Sequence, residues 1–326
     1  GVNTMLIERN GCLGGILTTN VIPNLDNHYR DIDGRPQLHG IGREMIERLV
    51  ARGACVRDWN KPYAKIVLDE QQLKIILIEM IQEAGGKILT HTMAARPIMD
   101  GEAIRGVFIE SRAGRQAVLA KMVVDCTGEA DIASQTGCPI RWTPGTATLM
   151  FKLANVDVEA LYRHFKERPE AFPGGYDQIR GFPDFEKNWE YGSLYVPHRG
   201  GTVWDIFVDA IAKGEYAKRR GKIFGLDMVC LEGLRALGDV SVNTMLWQLN
   251  SLNAPEVSEA ELESQKTCYY AADFLRTHVP GFENAHVVQI SQDLAIRISR
   301  GIEGEATLTK RELTSSEPMY FYDVIG

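Results

Sequence analysis

No G-x-G-x-x-G occurs anywhere in the 326 residues. That absence removes from this chain the glycine-rich turn that lets a helix N-terminus cradle a pyrophosphate. C-x-x-C is missing too, since the six cysteines (Cys12, Cys55, Cys126, Cys138, Cys230, Cys268) stand singly. This disfavours zinc, iron–sulfur and dithiol sites, and scattered thiols fit a reducing, cytoplasmic compartment. A Cys126–Cys138 bridge is not expected, because the two lie twelve apart across an expected helix and a disulfide needs a specific geometry. No apolar run approaches the roughly 18 residues that a membrane span needs. Basic clusters are scarce: the net charge is −7, and Lys218-Arg219-Arg220 with Lys222 reads as a solvated helix end. A nucleic-acid surface is therefore not expected. Metal-spaced histidines and a Ser-His-Asp arrangement are absent, so hydrolytic and metal chemistry have no support.

What is present is ordinary globular sequence, 44% hydrophobic and 24% charged, long enough for two domains or one large α/β domain with an insertion. The most informative stretch comes first. Val2 to Ile7 is a short apolar run closed by Glu8 and followed by Arg9-Asn10-Gly11-Cys12-Leu13-Gly14-Gly15. It reads as a buried parallel strand ending in an acid, then a glycine-rich turn. In dinucleotide-binding folds such an acid accepts hydrogen bonds from ribose hydroxyls about 20 residues after the phosphate turn. Only seven residues precede Glu8. The expectation is a chain that starts inside a nucleotide-binding domain.

Downstream, apolar spacing predicts a helix over 40–51 with Ile41, Met45, Ile46, Leu49 and Val50 on one face. Asp69 with Gln72 forms a capping box before the helical set Leu73, Ile76, Leu77, Met80, Ile81, which Gly85-Gly86 ends. Short strands at 87–91, 93–99, 104–111 and 116–120, with turns at Asp100-Gly101 and Ala113-Gly114, predict an antiparallel meander. Met122 to Asp125 reads as another buried strand, followed by a helix carrying Ile132 and Ala133. Alternation over 146–153 predicts one strand. Ser258 with Glu261 reads as a second capping box opening a helix to His278, with Leu262, Tyr269, Ala272 and Leu275 inward; 287–299 is strand-like. The resulting fold class is α/β: an incomplete Rossmann-like domain, parallel sheet plus antiparallel meander, with an α+β substrate domain. The domain expectation is 1–145 for nucleotide binding, 146–255 for substrate, and 256–326 for a helix and return segment.

Several residues could carry chemistry, and each has a plain structural alternative. Glu8 is a ribose clamp or a solvated carboxylate. Gly14-Gly15 allows close backbone approach to a ligand or is a simple turn. Thr127-Gly128-Glu129-Ala130-Asp131 places a small turn where doubly wound folds bind ligands, though helix capping alone would also account for its acids. His28, beside Tyr29 and Asp31, is a proton donor, a substrate ligand or a solvated loop residue. His198 has the same alternatives.

Four segments taken in order (6–15, 83–92, 123–133 and 297–309) resemble the FAD-dependent oxidoreductases of the glutathione-reductase-like superfamily, in its broad bacterial group. The resemblance implies non-covalent FAD and flavin-mediated hydride transfer with a small-molecule substrate. It implies that Glu8 binds the adenosine ribose and Arg9 lies along adenine, whose backbone contacts come from Thr92, Met93 and Ala94. Gly14, Gly15 and Ile16 would line the path from pyrophosphate to isoalloxazine, and Thr127, Gly128 and Asp131 the turn that closes over the cofactor. Arg297 and Arg300 would flank the flavin and hold an anionic substrate or the reduced flavin. The family's opening strand, its glycine-rich loop and its closing segment have no counterpart here, so the chain reads as the interior of a longer protein. Two other readings stay open: a non-catalytic piece without a cofactor site, and an NAD-binding protein of similar fold. The Thr-Gly turn favours FAD over NAD.

Overall fold

A computed structural model of the chain describes residues 2–25, 33–143, 145–167, 185–196, 206, 209–210, 212–214, 223–224, 229–243, 246–297 and 299–304. His28, His198 and the 218–222 basic stretch lie outside these residues. The chain divides into two compact units, neither of them one continuous stretch. The first comprises 1–11, 85–144 and 298–326; the second comprises 12–84 and 145–297.

In the first unit, the strand Met5–Ile7 pairs in parallel with Lys87–Leu89, Leu6 opposite Ile88. The parallel geometry is as expected, but the strand is only half-buried rather than buried. Met93–Asp100, Ala103–Ser111 and Gly114–Leu119 form the antiparallel meander. Pro97 sits in the edge strand, where its missing N–H leaves no central ladder bond unmade. Gly106 is obligatory in the middle strand, because a Cβ there would stand 2.1 Å from the Val118 carbonyl oxygen. Val107, Ile109 and Ile132 form a small core, joined by half-buried Ile7, Ala94, Val118 and Val123. Arg300–Ile302 pairs antiparallel with Ile140–Trp142.

Three expectations fail in this unit. The 87–91 stretch, expected in the antiparallel meander, gives Lys87–Leu89, which pairs in parallel with Met5–Ile7 and leaves the meander to three strands. Met122 to Asp125 alternates in exposure, but it pairs with no strand among the described residues, and Met122 and Val124 are exposed rather than buried. A strand needs a hydrogen-bonded neighbour as well as an apolar run. The helix expected after it is a single 3-10 turn, Ala133–Gln135.

In the second unit, helices Gly40–Ala51 and Glu70–Glu83 pack through Ile46, Leu49, Leu73 and Ile76. Asp69 caps the latter by accepting from the backbone N–H groups of Gln71 and Gln72. Ile41, expected inward, is exposed, because it lies in the first turn, off the stripe that Ile46 and Leu49 bury. The predicted strand over 146–153 is two strands, Gly145–Thr148 and Phe151–Ala154, belonging to different sheets. Buried Leu149 and Met150 form the link between them.

A five-stranded sheet carries Phe151–Ala154 between Val240–Asn243 and His286–Ile290, with Cys230–Leu234 and Ser193–Val196 beyond. Its apolar residues (Leu194, Leu231, Val242, Phe151, Leu153) belong to the large core, which also takes in helices Val158–Lys166 and Ala254–His278. The long helix begins at Ala254 with Pro255 in its first turn, four residues before the expected Ser258 cap, because proline suits that position. Its buried stripe is Ala260, Ser264, Cys268, Ala271 and Leu275. Leu262 and Tyr269 are exposed, contrary to expectation: small residues let the helix approach closely, and Trp247 donates to Ser264 Oγ at 2.6 Å.

The register also lines up a polar row across the five-stranded sheet: Tyr195, Glu232, Ser241, Lys152 and Gln289. Asn24, Lys65 and Glu70 meet it with matching groups. Lys65 stands 3.6 Å from Glu232, Glu232 also accepts from Asn24, and Lys152 pairs with buried Glu70.

Candidate functional site

Glu8 follows the parallel strand directly. Its own N–H continues the ladder to the Leu89 carbonyl, and Thr92 N–H donates to the Glu8 carbonyl. The carboxylate is half-buried, and Oε1 accepts from Asn10 N–H at 2.7 Å, which fixes the turn leaving the strand. His91 adopts φ 53° and donates its N–H to the Asn10 carbonyl; its ring lies where a Cβ on Gly11 would fall, at 2.9 Å. Thr92 is buried, Met93 exposed and Ala94 half-buried. These residues surround the strand end as a half-buried acid beside exposed apolar surface, a carboxylate acceptor suited to ribose hydroxyls next to a base.

Asp125 organises the second part of the site. Its Oδ1 accepts from Thr127 N–H at 3.0 Å and from the Thr127 hydroxyl at 2.7 Å. Its Oδ2 accepts from the N–H groups of Ile132 and Ala133 at 3.1 and 2.8 Å. Burial pushes this carboxyl up, but those hydrogen bonds prevail and hold it below the ordinary aspartate value. Thr127 Oγ1 in turn accepts from Asp131 N–H at 2.9 Å. Between them the backbone is left-handed at Gly128 (φ 89°) and at Ala130 (φ 55°). A Cβ at Gly128 would meet open space, so its glycine serves conformation, not packing.

Asp131 is raised above its ordinary value by burial, and by Glu129 and Asp125, against the lowering effect of Arg300 and Arg9. Arg9 thus acts on the same turn as Arg300, and Ile132 packs in the core with Ile7. The first unit therefore brings together Glu8, Arg9, Met93, Ala94, Thr127, Gly128, Asp131 and Arg300. Gly14, Gly15, Ile16 and Arg297 belong to the second unit.

There, Gly14 has φ 109°, and a Cβ would collide with Thr18 at 2.5 Å, so packing explains that glycine without a ligand. Gly15, at φ 52°, faces open space. Its carbonyl accepts from the N–H and hydroxyl groups of both Thr18 and Thr19. Arg297 is exposed; its N–H donates to the Thr146 carbonyl and its guanidinium to Thr148 Oγ1 at 3.2 Å.

Two functional details escaped the sequence reading. Asp125 is the hub of the turn rather than the end of a strand; Asp followed two residues later by Thr is the local signal that could have shown it. Arg300 is engaged with Asp131 and Ser134, and sequence order gives no sign of that. None of the six cysteines forms a disulfide among the described residues, and burial pushes the Cys55 thiol up to about 12. Among the described residues no group of His, Cys, Asp and Glu could hold a metal, and no helix is long and apolar enough to cross a membrane.

A family model described as "FAD dependent oxidoreductase" matches residues 1–326. Solved structures similar to the chain include p-nitrophenol 4-monooxygenase PnpA from Pseudomonas putida DLL-E4, at 11% identity over 93% of this chain and 63% of that one, TM-score 0.44. Another is aklavinone-11 hydroxylase in a ternary complex with FAD and aklavinone, at 12% identity over 94% and 51%, TM-score 0.43. A third is the myxobacterial chondrochloren halogenase CndH, at 13% over 91% and 58%, TM-score 0.43. The chain spans less than two thirds of each. No curated protein matches it.

Proposed function

The chain belongs to the FAD-dependent oxidoreductase family, and from that premise we propose that it serves flavin-mediated hydride transfer with a small-molecule substrate. The observation that carries this reading is Glu8, a half-buried carboxylate at the end of a parallel-paired strand. Its chemistry fits ribose hydroxyls, and the left-handed turns at Gly15 and Gly128 leave open space where a side chain would stand. Glu8 would hold the ribose, Arg9, Met93 and Ala94 the adenine, and Gly14, Gly15 and Ile16 the path toward the flavin ring. Thr127, Gly128 and Asp131 would close over the cofactor. When bound, FAD supplies the electron-pair acceptor or donor; the protein supplies orientation and charge.

Arg297, exposed and anchored on Thr148, is our candidate for an anionic substrate. By function we divide the chain into 1–145 for FAD, 146–255 for substrate and 256–326 for the return. This division cuts across the compact units, because 12–84 folds with 145–297.

A second reading, that the chain by itself holds no cofactor, draws support from the exposed segment at Met122 and Val124, which has no strand partner among the described residues. Titration of the purified chain with FAD separates the two. The first predicts flavin absorbance retained after gel filtration and a melting temperature raised by FAD. Glu8→Ala should weaken binding on the order of tenfold, the loss of about 1.4 kcal/mol of hydrogen bonding. A colourless chain whose melting temperature ignores FAD would favour the second.

A further inference from the structure

The segment after Arg297 is fastened to one short stretch of the first unit by a series of separate contacts. The Ser299 hydroxyl donates to Glu129, and the Arg300 guanidinium pairs with Asp131 and donates to Ser134 Oγ at 2.9 Å. Thr143 N–H donates to the Ser299 carbonyl at 2.8 Å, and Glu303 N–H to the Pro139 carbonyl at 2.9 Å. Between them, Arg300–Ile302 and Ile140–Trp142 form a ladder.

Asp125 and the return segment divide the 127–134 turn between them. Asp125 takes the N–H groups of Thr127, Ile132 and Ala133. Ser299 and Arg300 take the side chains of Glu129, Asp131 and Ser134. At the centre lies Ala130 in a left-handed conformation, a geometry that costs a residue with a Cβ roughly 1–2 kcal/mol and persists only where its surroundings over-determine it.

Arg300 itself is turned inward. Its side chain is 18% exposed, both terminal nitrogens are committed, and Nε is buried without a partner among the described residues. Such an arginine is poorly placed to meet a substrate from solution.

We propose that Arg300 is a positioning residue: with Ser299 it latches the return segment onto Glu129, Asp131 and Ser134, and so holds the Gly128–Ala130 backbone in the shape the cofactor turn requires. The role at the cofactor rests on the reading given under Proposed function; the latch itself does not. Removing the guanidinium frees the turn to relax, and cofactor affinity falls because the turn must be reordered on binding.

The test is Arg300→Gln and the charge swap D131R/R300D in the 326-residue chain. Amide hydrogen exchange over 126–134 is measured without ligand, and FAD affinity by flavin fluorescence. Arg300→Gln is expected to speed exchange over 126–134 by at least about tenfold while leaving the 103–119 strands unchanged. FAD should bind on the order of tenfold more weakly; the swap, which changes Asp131 in the cofactor turn itself, should restore the exchange protection. Unchanged exchange over 126–134 overturns the latch whether or not FAD binds. Faster exchange with unaltered FAD affinity overturns the positioning role. Affinity lost in Arg300→Gln with exchange over 126–134 unchanged makes Arg300 a direct ligand. A wild-type chain that binds no FAD refutes the functional reading, and the exchange data still decide the latch. Should R300Q unfold, Ser299→Ala and Arg300→Lys give the same comparison with smaller loss, the lysine keeping the charge and so part of the protection.

Discussion

In the second unit Phe151, Phe165 and Phe282 are fully buried, while in the first Leu119, Met122 and Val124 stand 75%, 78% and 77% exposed. The second unit is built on a large apolar core, the first on a small one beside a turn fixed by directed hydrogen bonds. The large core interleaves two sheets and the long helix, so its stability comes from apolar area removed from water. The small core has three buried residues, and the turn beside it is specified by Asp125, Thr127 and the return segment. The residues proposed to meet the adenosine and the closing turn lie on the less densely cored unit. Binding segments are commonly drawn from regions of low local stability, because they must adjust to a ligand.

The contrast can be tested most strongly in the large core. Phe282→Ala should cost about 3–5 kcal/mol in urea unfolding, transfer plus cavity. A loss below about 1 kcal/mol would mean the site collapses freely and the core is not close-packed. Lys152→Met should cost a comparable amount, about 3–5 kcal/mol, by leaving Glu70, 1% exposed, buried without its counter-charge. If Glu70→Gln in the same background fails to recover stability, the buried charge is not the cause. Ile109→Ala in the small core should cost about 2–3 kcal/mol, the lower part of the range, because neighbouring side chains are half-exposed and can relax. Equal losses for Phe282 and Ile109 would erase the contrast.

Asp125→Asn should cost about 1–2 kcal/mol through loss of charge-assisted turn hydrogen bonds, and its effect should depend on pH. The folded Asp125 carboxyl lies below its ordinary value of 3.8. Its contribution is therefore fully present above that value and is lost as pH falls through the lower folded one. The gap between wild type and variant should shrink in acid; a gap unchanged down to strong acid would show that Asp125 is not the titrating anchor. Asp69→Ala should have the smallest effect, about 1 kcal/mol, from a lost helix cap.

Much of this was readable locally. The helices Gly40–Ala51 and Glu70–Glu83 and the meander follow from apolar period, caps and Gly turns, which act within a few residues. The family match over 1–326 agrees with the resemblance drawn from four short segments in order. The failures share a cause. Whether Met122 to Asp125 becomes a strand, or where 145–154 breaks between two sheets, depends on partners far along the chain. The face of the long helix shifted for the same reason: the sheet chose Ala260, Ser264 and Ala271, while hydrophobicity suggested Leu262 and Tyr269.

By itself, then, the sequence determined parts whose physics is local: the Gly40–Ala51 and Glu70–Glu83 helices, the Asp69 cap, the meander turns, and the four ordered segments that resemble the family. Tertiary structure alone decided which side chains meet. Asp131 and Arg300 are 169 positions apart, and the polar row from Tyr195 to Gln289 is assembled from five separate strands. No pattern within a few residues encodes such pairs, because their energy exists only once the chain has paid the entropy of bringing them together.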